Sequence, residues 1–509
     1  MHLLTIVAFA CLFWRSDASA RWVLVPDGEV SWTLLIALAP PLVCTIVAFW
    51  AARRADAMRE ALPDGPQSAH LWHHRATSFL RVFLLLGFAA AVMLTHWPTW
   101  FAFGQVTPAL QVFGDVIVLS PYLAGAVGLL LAAYPIERAF RFPFAATNHS
   151  ESTTVDGSWS WRSYLDFNVR HHVLVVAVPM LLILFASDMT RGYEAAIRKW
   201  TGFRFAPDVL LGLFSAAVFL VAPWMLCRIW RTSSLQAGPL RERLEAICRG
   251  IGLRCRDILV WQSDGILINA AVMGLFPRVR YVLLSDALLA TMSPRQVEAV
   301  FGHEAGHVRH RHIEHFLLFA FAGWAVVAAT MELLSRAGDG LGASSESTLA
   351  VVEAAGVVGT LGVWGIGFGW LSRRFERQAD LFGARCVTPK GGECNLPCSV
   401  HPDECTTVEQ GGRVCATAAA VFASALERVA SLNGIPWEEN SWRHASIGYR
   451  ARFLRSLAGD PARAIQFERT ITRIKRALLL FACLSVVTFA WYWWTFSEST
   501  LLRLQAGIR

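Results

Sequence analysis

Long apolar runs, rather than the short alternations of a soluble protein, dominate the hydrophobic pattern of this chain. Windows such as 209–227, 316–334 and 477–496 are each long enough to cross a hydrocarbon core, which needs about 20 helical residues. The pattern predicts spans at 32–51, 79–97, 108–134, 173–187, 207–227, 316–336, 348–371 and 477–496. We therefore predict a mainly α, polytopic membrane protein.

The first apolar run, residues 3–14, is too short to be a standard span. It is followed by Ala18-Ser19-Ala20, which resembles the small-residue cleavage site of a signal peptide, although no Lys or Arg precedes the run. A signal peptide and a membrane anchor both fit this pattern.

Two polar segments, 232–312 and 372–475, are large enough to hold chemistry. Periodicity in the first predicts a helix at 238–250, strands at 257–262 and 280–285, and helices to about 312. The predicted regions are 1–20 (signal or anchor), 21–231 (membrane spans), 232–312 (first catalytic region), 313–371 (two spans), 372–475 (second catalytic region) and 476–509 (C-terminal span).

The charge distribution indicates membrane orientation rather than a nucleic-acid partner. Of the 509 residues 55% are hydrophobic and 17% charged, and the net charge of +8 comes from basic residues that flank the apolar runs. Arginines follow the spans 32–51, 108–134, 207–227 and 348–371. The links 98–106 and 337–347 contain no Lys or Arg, whereas the loop 188–206 breaks the pattern. The positive-inside rule then predicts a cell-membrane protein with both polar segments in the cytoplasm.

Residues 303–307 read His-Glu-Ala-Gly-His, and Ser293-Pro294-Arg295-Gln296 upstream predicts a capped helix start. His303 and His307 then lie four residues apart on one helical face and can share a metal ion. Glu304 lies beside them, placed to take a proton from a metal-bound water. His310, His312 and His315 continue the run, and a polar collar at the membrane surface accounts for them.

A catalytic zinc site needs a third protein ligand, and the second polar segment supplies a candidate. Glu376 and Asp380 lie four apart on the helix that leaves the 348–371 span. Glu376 would complete a two-histidine, one-carboxylate site, and Asp380 would hold the other ring nitrogen of a ligand histidine. An ion-paired, solvated helix face would also explain two carboxylates beside arginines.

These residues resemble the membrane zinc peptidases that include HtpX and the type I CAAX prenyl proteases. Further similarities are Asn269-Ala270-Ala271-Val272-Met273-Gly274 (the family's Asn-Ala-x-x-x-Gly), the following edge strand Arg280–Ser285, and His444-Ala445-Ser446-Ile447-x-x-Arg450. Five predicted spans precede the HExxH helix and two separate it from Glu376, as in the prenyl proteases. The resemblance implies a gluzincin-like fold, helices plus a small β-sheet, with an active site at or within the membrane.

The resemblance also implies roles for individual residues. Zinc would be bound by His303, His307 and Glu376, with Glu304 as the general base and His444 as a donor to the oxyanion. Arg450 would be a structural or oxyanion-supporting charge near the substrate. Asn269 and Ala270 would bind the substrate backbone, although Asn269 also fits an ordinary turn. The sequence departs from the family where Ala445 replaces its proline, and the first segment and the 477–496 span are additions to the prenyl-protease plan.

A cysteine-bearing insert at 386–415 follows the Asp380 helix. It contains Cys386, Cys394, Cys398, Cys405, Cys415 and His401. The predicted cytoplasmic location favours thiols or a second metal over disulfides, but the spacing lacks paired C-x2-C knuckles. Disulfides, a second metal and free thiols therefore all remain open.

The sequence as a whole predicts an integral-membrane zinc endopeptidase with one catalytic Zn²⁺. Its expected partners are the lipid bilayer and a protein or peptide substrate, which can itself be membrane-embedded, and the expected task is membrane-protein quality control or processing. A regulatory, signal-transducing protease is the alternative within the same chemistry, and a transporter is the alternative outside it.

Overall fold

The computed structural model describes residues 2–17, 23–26, 28–61, 65–105, 107–146, 160–265, 267–340, 355–356, 358–360, 362–388, 394 and 414–506. Two compact units divide the chain. The first comprises residues 1–233 with 261–266, and the second comprises 234–260 with 267–509. The second unit therefore contains most of the four predicted regions that follow residue 231.

The first unit is built of helices. They are α1 (His2–Asp17), α2 (Val30–Ala61), α3 (Gly65–Leu94), α4 (Gln111–Ala146), α5 (Trp161–Asn168), α6 (Val175–Gly192), α7 (Glu194–Thr201) and α8 (Ala206–Ile229). A π-helical turn, Val169–Leu174, joins α5 to α6. The predicted span at 173–187 is thus part of a longer apolar helical stretch, Trp161–Gly192.

The apolar faces of α1, α2, α3, α4 and α6 pack into a shared core. Fully buried side chains in it include Phe9, Leu84, Leu119 and Leu129. The short helix α1 contributes Phe9, so the 3–14 run packs within this unit, whereas Ala18-Ser19-Ala20 lies outside the described residues.

The remaining elements carry the two polar segments. They are β1 (Thr232–Ser234), α9 (Pro239–Gly250), β2 (Asp257–Trp261), β3 (Ala270–Met273), β4 (Tyr281–Ser285), α10 (Asp286–Thr291), α11 (Pro294–Arg309), α12 (His312–Gly340), α13 (Gly369–Cys386), α14 (Ala416–Leu432), α15 (Ile447–Gly459) and α16 (Pro461–Ala506). The predicted helix at 238–250 and both predicted strands are present. A π-helical turn, Val363–Phe368, leads into α13.

The strands form a sheet in the order β1-β2-β4-β3, which corrects one expectation. The resemblance made 280–285 the edge strand, but β4 lies inside the sheet and β3 lies at its edge. All five residues of β4 are buried, as expected for a strand covered on both faces. β3 pairs with β4 in antiparallel register, with Ala270 opposite Leu284 and Met273 opposite Tyr281.

The described residues include six helices long and apolar enough to cross a membrane. They are Val30–Ala61, Ser68–Leu94, Pro108–Ala139, Trp161–Gly192, Ala206–Ile229 and His312–Met331. Residues 348–354, 357 and 361 of the predicted 348–371 span lie outside the described residues. The predicted 477–496 span lies in α16, whose side chains are described to residue 488. A mainly α, polytopic fold with a small sheet is confirmed.

Candidate metal centre and active site

Helix α11 begins where the sequence predicts and presents its two histidines on one face. The Ser293 side chain accepts from the backbone of Gln296, and Gln296 reaches back to the backbone N–H of Ser293, which completes the capping box. His303 and His307 follow in the helix, with their Nε2 atoms 3.3 Å apart. Both side chains are largely buried, at 12% and 18% exposed.

Helix α13 brings Glu376 to this pair. Its Oε2 lies 3.5 Å from His303 Nε2 and its Oε1 lies 3.7 Å from His307 Nε2. One ligand atom from each of the three residues lies within 4.8 Å of the other two. The three ligands predicted from the sequence therefore converge.

Glycine makes this approach of α11 and α13 possible. A Cβ added at Gly383 would lie 2.8 Å from the backbone nitrogen of His303 and 2.8 Å from the carbonyl oxygen of Ala299. Neither backbone atom can move without distorting α11, so any larger residue at 383 would force the helices apart. The helix spacing that aligns the three ligands thus depends on this position.

Asp380 lies one turn beyond Glu376 and is completely buried. Its Oδ1 is 2.9 Å from Nδ1 of His303, the ring nitrogen that does not face the other ligands. Arg450 of α15 binds the same carboxylate through two contacts, at 2.8 Å and 2.5 Å. Arg450 is 6% exposed, so its geometry is that of a supporting charge rather than of a group lying open to substrate.

Glu304 is held by the edge strand. Its Oε2 accepts a hydrogen bond from the backbone N–H of Val272, at 3.2 Å. This contact joins the candidate base directly to β3, the strand that carries the predicted substrate-binding segment. Burial raises the pKa of the Glu304 carboxyl to about 7, which is suited to a group that must accept a proton near neutral pH.

The pKa of the other carboxyl group of the site, that of Glu376, is shifted in the opposite direction. Burial alone would raise the pKa of Glu376, but the hydrogen bond from His444 and the nearby His303 and Arg450 hold it well below its usual range. Burial and the neighbouring His303 lower the pKa of His307 to about 4. An ionised carboxylate beside a neutral imidazole is the protonation state that a metal ligand requires.

His444 lies beside the three ligands, with its Nδ1 3.0 Å from Oε2 of Glu376. Its side chain is 44% exposed, so it is the most open group of the cluster. The neighbouring Ala445 has a positive φ of 60°. Proline cannot adopt that angle, since its ring fixes φ near −65°, so the loss of the family's proline coincides with a different local backbone.

Asn269 and Ala270 lie at the start of the edge strand. The Asn269 backbone N–H donates to the hydroxyl of Ser285, and its carbonyl accepts from the backbone of Ser285. The Asn269 side chain is exposed and Ala270 is buried. The backbone of this segment is thus fixed against β4, beside the strand residue that binds Glu304.

His312, which the sequence pattern assigns to a polar collar, instead contacts a candidate ligand histidine. His312 is completely buried, and its Nδ1 lies 3.0 Å from Nδ1 of His307. Its ring stacks on Phe375, with centroids 4.3 Å apart. The sequence signal for this contact is the spacing of the two histidines. A histidine five residues after His307 can turn back toward it only if the helix ends between the two residues. Arg311, with φ of 54°, ends it there.

The cysteine insert is described only at its ends. The Sγ atoms of Cys394 and Cys415 are 3.6 Å apart, and Cys386 is half-buried on α13. Cys398, Cys405 and His401 lie outside the described residues. Within the described part of the chain, the one group of three ligating residues close enough to hold a metal is His303, His307 and Glu376, so a second metal gains no support.

Comparison with known proteins identifies the region that carries the site. Residues 234–424 match the model of Peptidase family M48. This stretch contains the HExxH helix, the sheet edge and Glu376, and it ends before His444 and Arg450.

Curated relatives and a solved structure are similar in part. The Protease HtpX homolog of Thermoplasma acidophilum is 26% identical over 155 residues, covering 29% of this chain and 48% of that protein. The homolog of Pyrobaculum islandicum is 27% identical over 208 residues, covering 40% and 53%. The chain thus spans about half the length of these relatives. A crystal structure of S. mikatae Ste24p aligns with a TM-score of 0.45 at 13% identity, over 84% of this chain and 100% of that one.

The resemblance first indicated by the HExxH and Glu376 motifs is confirmed by the family match and by the HtpX relatives. Over residues 234–424 the chain is therefore similar to peptidase family M48, and over part of its length to the HtpX homologs.

Proposed function

We propose that this protein is an integral-membrane, zinc-dependent endopeptidase. The observation that carries the proposal is the convergence of His303, His307 and Glu376 within 4.8 Å, beside Glu304, which is bound to an edge strand. The match of residues 234–424 to a peptidase family supports hydrolysis, and the six apolar helices support the membrane location.

The donor set fits zinc. Two imidazoles and one carboxylate, with room for a fourth ligand, are typical of catalytic zinc sites. The Nδ1 atom of His303 faces Asp380, so its Nε2 is left with a lone pair that points toward His307. Two ring nitrogens only 3.3 Å apart, next to an ionised Glu376, form a cluster of electron-pair donors that a shared cation would stabilise.

Bound zinc would supply Lewis acidity, polarising the scissile carbonyl and making a water molecule more acidic. Glu304 takes the proton of that water as the new C–O bond forms, and passes it to the leaving amine as the C–N bond breaks. The N–H of Val272 orients the Glu304 carboxylate during both transfers. His444, the most exposed group of the cluster, is placed to donate to the carbonyl oxygen as negative charge develops on it.

The substrate binds as an added strand. β3 lies at the edge of the sheet and its Val272 N–H already points toward Glu304, so an extended peptide along β3 would lie against the base. Backbone pairing of this kind selects for extended conformation rather than for one sequence. Unfolded or unpaired segments of membrane proteins are therefore the substrate class that we propose, in quality control or processing.

Hydrolysis by Glu304 is tested with the Glu304→Gln variant of the purified full chain. The amide cannot accept a proton, so we expect zinc content to be kept and cleavage of an unfolded membrane protein to fall by about a hundredfold or more. Glu298→Gln, the same change six residues earlier in α11, is the matched control, because Glu298 pairs with Arg243 away from the ligands. Residual cleavage within about tenfold of the parent would refute the general-base role.

We also propose that the catalytic residues face the cytoplasm, because arginines follow four of the spans and are absent from the 98–106 link. Thr99 and Asn440 are both exposed, so a cysteine at either position can react. Impermeant thiol reagent added outside intact cells is expected to label Thr99→Cys above the level of the parent chain, and not Asn440→Cys. The opposite labelling would invert the orientation.

A further inference from the structure

A chain of buried and partly buried hydrogen bonds leads away from the candidate zinc ligand His307. Nδ1 of His307 lies 3.0 Å from Nδ1 of His312, and Nε2 of His312 lies 3.0 Å from Oε1 of Gln378. The same Oε1 accepts a hydrogen bond from Nζ of Lys475, at 2.8 Å. Lys475 belongs to α16, beyond the stretch that matches the peptidase family.

Lys475 fixes the direction of every hydrogen bond in this chain. An ammonium group can only donate, so the Gln378 atom that it contacts must be the carbonyl oxygen. That oxygen can only accept, so Nε2 of His312 must carry a hydrogen. A neutral imidazole has one N–H, and His312 is fully buried next to a lysine charge, so its Nδ1 is left as the acceptor.

The direction of these hydrogen bonds determines the tautomer of His307. Its Nδ1 must donate to His312, so its Nε2 carries a lone pair. Nε2 is the atom that faces His303 and Glu376. We propose that His312, Gln378 and Lys475 are positioning residues that hold His307 in its metal-binding tautomer, with Lys475 setting the polarity of the chain.

The surroundings hold the chain in place. Lys475 also donates to the carbonyl oxygen of His310, at 2.8 Å, and its ammonium lies 5.1 Å from the centre of the Phe375 ring. His303, the other candidate histidine ligand, is held independently of this chain by its contact with Asp380. Each candidate ligand histidine thus has its own hydrogen-bond partner behind the metal site. His303 has Asp380, and His307 has the relay, which consists of His312, Gln378 and Lys475.

This inference rests on the proposed zinc site and is tested by metal affinity rather than by cleavage. The purified full chain is titrated with Zn²⁺ against a chromogenic chelator. Gln378→Met keeps the length of the side chain but removes the carbonyl acceptor, and we expect about tenfold weaker binding or more, as is usual when an outer partner of a ligand histidine is lost. Gln378→Glu can only accept, so it should bind zinc within about threefold of the parent.

A second pair of variants tests the lysine. Lys475→Met removes the donor and lets the Gln378 amide turn over, so binding should weaken, whereas Lys475→Arg keeps a donor and should retain it. Ser372→Ala is the matched control, because Ser372 is buried on the same helix as Gln378 and lies outside the relay. Monodisperse elution and an unchanged helical spectrum are required of each variant.

The outcomes separate this inference from the function on which it rests. A parent chain that binds no zinc would overturn the proposed function itself. A parent that binds zinc, with Gln378→Met and Lys475→Met equal to it, would overturn the relay alone. If Gln378→Glu weakens binding as much as Gln378→Met, shape rather than hydrogen-bond direction matters, and the relay is again overturned.

Discussion

Replacing Arg450 with methionine tests how the buried charges behind the metal site are balanced. Arg450 binds Asp380 through two contacts, at 2.8 Å and 2.5 Å, and its Nη2 lies 3.7 Å from Oε2 of Glu376. The side chains of all three residues are 7% exposed or less. Methionine keeps much of the arginine stem but leaves two buried carboxylates facing each other without their shared cation.

The expected cost follows from distance and burial. Two unit charges about 3 Å apart attract by roughly 5 kcal/mol at an effective dielectric constant of about 20. The desolvation of Arg450 offsets part of this, and removing one partner of a buried pair typically costs about 3–5 kcal/mol. For a unit of this size each kcal/mol lowers the unfolding midpoint by about 2–4 °C, so we expect a drop of roughly 6–20 °C.

The assay is thermal unfolding of the purified chain, followed by helical signal, with two companion variants. Arg452→Met lies on the same helix, and its pairing with Glu438 is exposed to solvent, so its midpoint should stay at that of the parent. The double variant Arg450→Met with Asp380→Asn leaves one fewer buried charge, so it should recover a good part of the loss.

Two results would refute this reasoning. An unchanged unfolding midpoint for Arg450→Met would mean that the Arg450–Asp380 ion pair makes no net contribution to the stability of the folded protein. A double variant no more stable than Arg450→Met would mean that the loss comes from packing, since removing the stranded Asp380 charge would then have brought no relief.

The remaining predictions concern single positions. Glu376→Gln should lose most of its bound zinc by metal analysis, because an amide is a poor zinc ligand, and unchanged stoichiometry would remove Glu376 from the ligand set. His444→Ala should lower turnover by about a hundredfold with zinc content kept, and a loss below about threefold would exclude a role at the oxyanion. Gly383→Ala should separate α11 from α13 and weaken zinc binding. Gly250→Ala is the control, because open space surrounds Gly250, and its zinc affinity should stay that of the parent. Equal zinc affinity of the two variants would contradict the close approach of the helices. The hydrogen bond from Cys248 holds the pKa of Cys255 below its ordinary value. Cys255 should therefore be alkylated at lower pH than a free thiol, for which the pKa is about 8.5. An alkylation rate that depends on pH as that of a free thiol does would contradict this contact.

The sequence by itself determined the parts of the site that depend on local geometry. The capping box at Ser293 starts α11, and the four-residue spacing of His303 and His307 places both rings on one face. The same spacing aligns Glu376 with Asp380 on α13. These relations follow from the helix period and from hydrogen bonds within one turn, so they can be read without knowing where the helices pack.

The tertiary structure alone decided which strand forms the edge and which distant residues serve the ligands. The apolar run of β4 predicts a strand, but its inner position depends on pairing with segments on both sides. His312 reaches His307 because the chain turns at Arg311, and Lys475 reaches Gln378 from a helix about a hundred residues away. Such contacts depend on how whole elements pack, and no local periodicity encodes the packing of one helix against another.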